Sequence, residues 1–191
     1  MATGRSRLHR ALLVAVLAVV LVAGAGYAAV RTNTPELGAQ GPTRVDGTAA
    51  SAVFTIDDRE IRQVRYRDGG TLDYRFELTN EDRLPVTVVG IDPAQPDSRL
   101  FGFLALEGAD GERRITVPAG GTRQVHLLLR MGGCESLSAR AGSFASSVLL
   151  RTERMGLATG SVRVDLPEEI HTGSPREAFC PNSTAKSRPP G

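Results

Sequence analysis

The chain has 191 residues, with 23 basic and 21 acidic side chains and a formal net charge of +2. Four arginines lie in the first 31 residues, which contain no acidic residue, so residues 32–191 carry 19 basic against 21 acidic side chains, a net charge of −2. This near-neutral remainder lacks the basic surface on which nucleic-acid binding depends, and an aromatic content of 5% without tryptophan argues against a stacking platform for sugars or bases.

The N-terminus combines a basic start with a long apolar segment. Three arginines lie in residues 1–10, and the twenty residues that follow, residues 11–30, carry no charge. A helix of that length rises about 30 Å, the thickness of a bilayer core. Because positive residues stay on the cytoplasmic side, we expect residues 1–10 to form a cytoplasmic stub and residues 11–30 a transmembrane helix in contact with the lipid bilayer. The rest of the chain would then lie outside the cell membrane.

A cleaved signal peptide is the alternative interpretation of the same segment. Its apolar region would be residues 12–22, and Ala23, Gly24 and Ala25 form an A-x-A pattern suited to cleavage. The apolar sequence continues to Val30, further than a signal peptide requires, which favours a retained helix. An apolar helix of a soluble core is disfavoured by the polar, glycine-rich sequence that follows. Anchor and signal peptide both imply export, to a membrane-tethered or a secreted state.

The remaining chain divides into a spacer, a domain and a tail. Residues 31–50 contain proline, glycine and threonine without a hydrophobic period, which predicts a flexible linker. Residues 181–191 are polar and proline-rich, which predicts a disordered tail. Residues 51–180 are long enough for one domain with its own core.

Short apolar runs separated by turn residues predict an all-β domain. The clearest run is residues 71–80, in which Leu72, Tyr74, Phe76 and Leu78 alternate with polar residues, the period of a strand with one buried face. The last two predicted strands form a hairpin. Several short strands without an amphipathic helix indicate an antiparallel sandwich. The other predicted strands are residues 52–56, 61–66, 86–91, 100–107, 115–117, 124–130, 144–153 and 157–166.

Two stretches of this domain resemble bacterial immunoglobulin-like modules. In YRFELTNEDRLPVTVVGI, residues 74–91, an alternating strand ends in asparagine before a turn and a Pro-Val-Thr-Val strand. In ITVPAGGTRQVHLLL, residues 115–129, a proline- and glycine-containing turn precedes another alternating strand. The resemblance implies an immunoglobulin-like sandwich of seven to nine strands, and the shared motifs include no active site.

The arrangement of the whole chain resembles uncharacterised membrane-anchored proteins of high-GC Gram-positive bacteria. Lys186 is the single lysine among the 23 basic residues, and alanine, glycine and valine are abundant, as in proteins of high-GC genomes. The chain departs from antibody domains because it has no tryptophan and because Cys180 follows the last predicted strand.

The two cysteines, Cys134 and Cys180, both lie in the part of the chain predicted to be exported. In an oxidising compartment an even number of cysteines favours a disulfide, and closing a loop of about 47 residues would stabilise the fold by about 4 kcal/mol. We expect this bridge to fasten the C-terminal segment to the loop at Cys134. Two free buried thiols, or a metal site that includes a cysteine, are the alternatives.

Two groups of side chains could hold a metal ion. His126, Met131 and Cys134 offer the imidazole and sulfur ligands that copper prefers, and five acidic residues offer oxygen ligands for calcium. Neither group matches a regular ligand spacing, so we predict no metal and no cofactor. We expect His126 on the outer, solvent-facing side of its strand and Met131 at a glycine-rich turn. The acidic residues are Asp57, Asp58, Glu60, Asp92 and Asp97.

Catalytic motifs do not accompany this organisation. Neither G-x-S-x-G nor H-E-x-x-H occurs, and only two histidines follow residue 31. We therefore expect a non-enzymatic, extracytoplasmic sandwich that binds or spaces a protein partner of the cell envelope, through sheet edges or through the loops at residues 92–100 and 131–142. A carrier of a small ligand or of copper is the alternative function, and an enzyme of unfamiliar type is a third.

Overall fold

The computed structural model of the protein describes residues 3–32, 34–96, 98, 100–132 and 143–172. Within these ranges one helix, α1 (Thr3–Thr32), precedes ten strands. The strands are β1 (Leu37–Asp46), β2 (Ala50–Ile56), β3 (Arg59–Arg65), β4 (Thr71–Asn80), β5 (Val86–Ile91), β6 (Phe101–Gly108), β7 (Ile115–Val117), β8 (Thr122–Met131), β9 (Ser143–Arg154) and β10 (Ala158–Thr172).

The strands form two sheets that share one hydrophobic core. Sheet A has the order β1-β4-β8-β6, and sheet B has the order β2-β3-β10-β9-β5-β7. Neighbouring strands are antiparallel except β3 and β10, where residues 61–64 run parallel to residues 169–172. Buried side chains from both sheets belong to a single cluster, so the sheets pack face to face.

Alternation in β4 builds the centre of this core. The strand buries its four apolar side chains at 1% exposure or less, while the residues between them remain partly exposed. Tyr74 lies opposite Leu127 and Phe76 opposite Val125 in β8, and both partners are also fully buried. The prediction of a strand with one buried face over residues 71–80 is confirmed.

The β9–β10 hairpin also follows the sequence prediction. Its turn contains Met155 and Gly156, with φ angles of +49° and +67°, and the Leu157 amide donates a hydrogen bond to the Arg154 carbonyl. Positive φ at both central residues is the signature of a type I′ turn, whose twist matches that of the flanking strands.

Strand β10 is longer than predicted. It runs to Thr172 and passes through Pro167, which cannot donate a hydrogen bond to a neighbouring strand. The pairing of β10 with β9 shifts register between Asp165 and Ile170. Because a register shift interrupts the hydrogen-bond ladder, proline is accommodated inside the strand at this point.

The flexible linker predicted over residues 31–50 is wrong over half of its length, because β1 lies there. β1 pairs with β4 and buries Leu37 in the core, with Ala39 and Val45 packed against it. The pairing shifts register between Gln40 and Arg44. The apolar residues of β1 keep the spacing of a strand, but they are few, and Gly41 and Pro42 separate them, as is typical of a linker.

Helix α1 occupies the N-terminal apolar segment. The large apolar side chains from Leu12 to Val22 are each more than half exposed. Over the described residues, however, the structure contains no helix that combines the length and the apolar content needed to cross a membrane. Residues 11–30 therefore form a helix, as predicted, but the prediction that this helix crosses a membrane is not supported.

Two buried polar side chains fasten the loops at one end of the sheets. Asn80, the last residue of β4, donates from its side-chain amide to the carbonyls of Leu84 and Val117 at 2.9 and 3.2 Å. Arg154 at the end of β9 has a side chain only 2% exposed and pairs with the Asp82 carboxylate in the same loop. These contacts stabilise the turn that follows the asparagine, which the resemblance singled out.

Candidate binding groove between strands β5 and β6

A groove of about 390 Å³ lies where the two sheets meet along β5 and β6. β7 has only three residues and pairs with residues 86–88 of β5, so the main chain of residues 89–91 is not covered by it. β6 is one of the two edge strands of sheet A and pairs, among the described strands, with β8 alone. Two strand edges from different sheets therefore border one concave surface.

Both strands that border the groove carry an irregularity there. The pairing of β5 with β9 shifts between Val88 and Gly90, and Gly90 has a φ of +137°, which side-chain-bearing residues rarely adopt. The pairing of β6 with β8 shifts between Phe103 and Ala105. Because the shift places Leu104 as an extra residue, its side chain is not drawn into the core and remains 49% exposed in the groove.

The turn that follows β5 forms one wall and is held to sheet B by hydrogen bonds. The Asp92 amide donates to the Leu149 carbonyl at 2.8 Å, and the Leu149 amide donates to the Gln95 side-chain oxygen at 2.5 Å. The Ser161 hydroxyl and the Ala94 amide donate to the Asp92 carboxylate. These two hydrogen bonds, that of Ser161 first, lower the pKa of Asp92, so the carboxylate that orders the wall stays ionised at neutral pH.

Apolar residues of β5 and β6 line the groove, and its charged lining residues, Asp92, Arg113 and Arg151, are called the rim here. Arg113 lies on the rim with its Nε 3.5 Å from the Glu107 carboxylate, and the positive charge of Arg151 contributes to the lowered pKa of Asp92. The described residues that line it include no histidine, cysteine, serine or lysine, and Asp92 is the one carboxylate among them. This composition suits binding of an apolar side chain held between polar groups.

The structure describes two of the three candidate copper ligands, His126 and Met131, and does not bring these two together. His126 lies on the outer face of β8, as predicted, but its side chain is only 20% exposed because its Nδ1 contacts an Asp73 carboxylate oxygen at 3.2 Å. Met131 is the last residue of β8 and is buried in the core, so its prediction at a turn is wrong. The two positions are five residues apart, an odd spacing, so their side chains lie on opposite faces of the strand.

The acidic residues considered for calcium are likewise dispersed. Asp57 and Asp58 form the turn between β2 and β3, while Glu60 pairs across the hairpin with Thr55. Asp92 orders the groove wall described above. No cluster of three or more potential metal ligands occurs in the described part of the chain. Asp97 and both cysteines lie outside the described residues, so the disulfide between Cys134 and Cys180 stays a prediction.

A polar cluster lies between β1 of sheet A and strands β3 and β10 of sheet B. Arg62 in β3 and Glu168 in β10 have side chains only 12% and 6% exposed, and the Arg62 Nε donates to a Glu168 carboxylate oxygen at 2.5 Å. The Thr43 hydroxyl of β1 donates to the other carboxylate oxygen at 2.6 Å. The cluster joins β1, an edge strand of sheet A, to β3 and β10 of sheet B, a structural role that sequence spacing did not reveal.

Two buried tyrosines lie in the same core. Burial raises the pKa of Tyr74, and the neighbouring Glu168 carboxylate raises it further. Burial also raises the pKa of Tyr66. In the unfolded chain both tyrosine hydroxyls ionise from about pH 10, before they do so in the folded protein. The contribution of the neutral tyrosines to the free energy of unfolding is therefore complete below that pH and is lost as the pH rises towards their folded pKa values.

The free energy of unfolding is therefore expected to fall above about pH 10, with each tyrosine contributing at most about 1.4 kcal/mol per pH unit. Tyr74→Phe removes the contribution of the more strongly shifted tyrosine, and we expect a clearly smaller slope in urea unfolding measured from about pH 10 to 11. Tyr66→Phe should remove the other share, and the double variant should show a nearly flat profile. An unaltered slope in Tyr74→Phe would contradict the assignment.

Comparisons with known proteins give a weak structural likeness. No protein-family model and no curated protein matches the chain. Among solved structures, it is similar to the cupredoxin domain of amoB from Nitrosocaldus yellowstonii, with 14% sequence identity and a TM-score of 0.27. The match covers 63% of this chain and 65% of that chain, less than two thirds of its length. A likeness at this level does not transfer copper chemistry to this protein.

Proposed function

We propose that this protein is an exported, non-enzymatic binding protein with an immunoglobulin-like sandwich, and that the groove between β5 and β6 receives a short extended segment of another cell-envelope protein. The observation that carries the proposal is the position of Leu104, an exposed apolar side chain on a strand bulge, facing a wall that hydrogen bonds already order. A preorganised wall reduces the entropy lost on binding.

Export is proposed from the N-terminal sequence. Three arginines precede an uninterrupted apolar segment, and residues 12–22 are sufficient for the apolar region of an export signal. The part of the chain that follows has a net charge close to zero, which suits contact with other proteins better than contact with nucleic acid. Cell-envelope proteins are then the partners that the domain would meet.

The proposed mode of recognition uses side chains and a short stretch of main chain. An extended segment lying along the groove could form main-chain hydrogen bonds with residues 89–91, which β7 leaves uncovered. It would place an apolar side chain against Leu104 and Phe103, while its flanking polar groups would meet Arg113, Arg151 and the Asp92 carboxylate. The mixed charge of the rim favours a segment that is itself polar at both ends of an apolar centre.

Site-specific photo-crosslinking tests the groove. A photoreactive amino acid at position 104, introduced into the full chain in intact cells, is expected to give a discrete protein adduct that protease added to spheroplasts removes, as export requires. The same probe at position 157 should give no such adduct, because Leu157 is 48% exposed but lies at the β9–β10 turn, away from the groove.

The captured partner then allows a quantitative test with a matched substitution. Leu104→Lys is expected to weaken its binding at least about tenfold, because a lysine must be desolvated where an apolar side chain was buried. Leu157→Lys should bind as the unsubstituted protein does. Equal effects of the two substitutions, or adducts of equal yield from positions 104 and 157, would refute the groove as the binding site.

A further inference from the structure

Strand β2 is an exposed edge with apolar side chains on both of its faces. It is the first strand of sheet B, and every residue from Ala50 to Ile56 is exposed. Val53, Phe54 and Ile56 are 44%, 38% and 52% exposed. Sheet B has six strands and sheet A four, and β2 pairs, among the described strands, with β3 alone. The strand is therefore open on two faces and along one edge.

The other three described sheet edges carry features that prevent pairing with another chain, and β2 carries none. β1 contains Pro42 within a register shift, β6 contains the shift at Leu104, and β7 is three residues long. β2 has no proline, no charged residue and no register shift along seven consecutive pairs with β3. An uncharged, regular edge of this length is a template for a further strand.

The sequence of β2 is complementary to itself. In antiparallel pairing about Val53, Phe54 lies opposite Ala52, Ile56 opposite Ala50, and Val53 opposite its own copy. Each large side chain on one face then meets a small one, and Ser51 meets Thr55 on the other face. No charges are brought together within the strand. Such cross-strand pairs are the unit of sheet stabilisation, and the pairing satisfies a twofold axis.

We propose that β2 pairs antiparallel with β2 of a second copy of this chain, joining the two copies of sheet B into one continuous sheet. β5 is four strands away from β2 in sheet B, a distance of about 19 Å at the usual strand spacing, so the pairing leaves both grooves free. The inference is independent of the proposed function. Where both hold, one dimer presents two grooves and gains avidity for a partner with two copies of the bound segment.

Charge substitutions at the twofold axis test both the partner and the register. Val53→Lys and Val53→Glu each place like charges directly opposite each other in the proposed dimer. We expect each variant to dimerise at least about tenfold more weakly than the unsubstituted full chain in sedimentation equilibrium. An equimolar mixture of the two variants should recover dimers, because lysine then faces glutamate. Leu157→Lys, at an equally exposed position far from β2, should dimerise normally.

Several outcomes would overturn the proposal. One is an unsubstituted chain that remains monomeric up to about 100 µM, a concentration at which a weak specific dimer is detectable. Another is a Val53→Lys variant that dimerises normally. A third is a mixture of the two variants that stays monomeric although circular dichroism shows each variant to be folded. If β2 instead pairs with a different protein, we expect this third result or the first.

Discussion

Replacing Glu168 by glutamine is expected to lower the free energy of unfolding by about 3 to 5 kcal/mol. Arg62 is nearly buried and its guanidinium binds Glu168 through two nitrogens, at 2.5 and 2.9 Å. The neutral amide leaves the positive charge of Arg62 without its counter-charge in a site from which water is largely excluded. The cost of desolvating the arginine is then not compensated. Urea unfolding of the full chain at neutral pH measures the effect.

A surface ion pair provides the control for this experiment. The Arg114 Nη2 lies 2.7 Å from the Glu153 Oε2, but the arginine side chain is 63% exposed. Glu153→Gln is therefore expected to cost less than about 1 kcal/mol, because solvent screens an exposed pair. The double variant Arg62→Met with Glu168→Leu should recover much of the loss, since it removes both buried charges. Equal losses for Glu168→Gln and Glu153→Gln would show that the Arg62–Glu168 pair is not effectively buried.

Phe76→Ala is expected to destabilise the protein by about 3 to 5 kcal/mol. Phe76 is 1% exposed at the centre of β4, and its ring centroid lies 5.6 Å from that of Tyr74. Truncation removes apolar surface and leaves a cavity between two sheets whose strands restrict its collapse. The loss should appear as a lower urea midpoint with an unchanged slope, the sign of a change in stability alone.

The matched control for this core substitution is Phe144→Ala. Phe144 lies in β9 with 51% of its surface exposed, and its ring stacks on His171 at a centroid distance of 4.5 Å. Its removal leaves no enclosed cavity, so we expect a loss of about 1 kcal/mol or less. A loss as large as that of Phe76→Ala would mean that burial does not determine the difference between the two sites.

The strands whose bounds were predicted correctly are marked by local signals. β4 alternates over its full length, and the short strands β5 and β7 have the bounds that their apolar residues and turn signals indicate. The hairpin turn at Met155 and Gly156 was also recognisable. In each case the information lies within a few consecutive residues, because side-chain alternation and turn geometry are local properties of the chain.

The strands that were missed or truncated contain irregularities. β1 was taken for a linker because it has few apolar residues and contains Gly41 and Pro42 at its register shift, and β10 continues past Pro167 because a second shift accommodates it. Closeness in sequence is also not closeness in a strand: His126 and Met131 are five residues apart, yet their side chains lie on opposite faces.

The candidate site could be predicted only in part. The loop that begins at Asp92 was expected to present contacts, and its first residues form one wall of the groove. The opposite wall, at Leu104, depends on a bulge that is visible only once β6 is aligned with β8. The shortness of β7, which leaves part of β5 uncovered, likewise has meaning only after the strands are paired.

The order of residues along the chain was sufficient to indicate an all-β body after an N-terminal helix, the faces of its most regular strands and the absence of familiar catalytic motifs. Tertiary structure decided which edges stay uncovered, that Arg62 and Glu168 meet across 106 positions of sequence, and that a groove opens between the two sheets. The physical reason is the separation in sequence of the residues involved. The alternation of apolar and polar residues is a property of neighbouring residues, whereas sheet edges, buried ion pairs and grooves depend on how segments distant in sequence pair with one another.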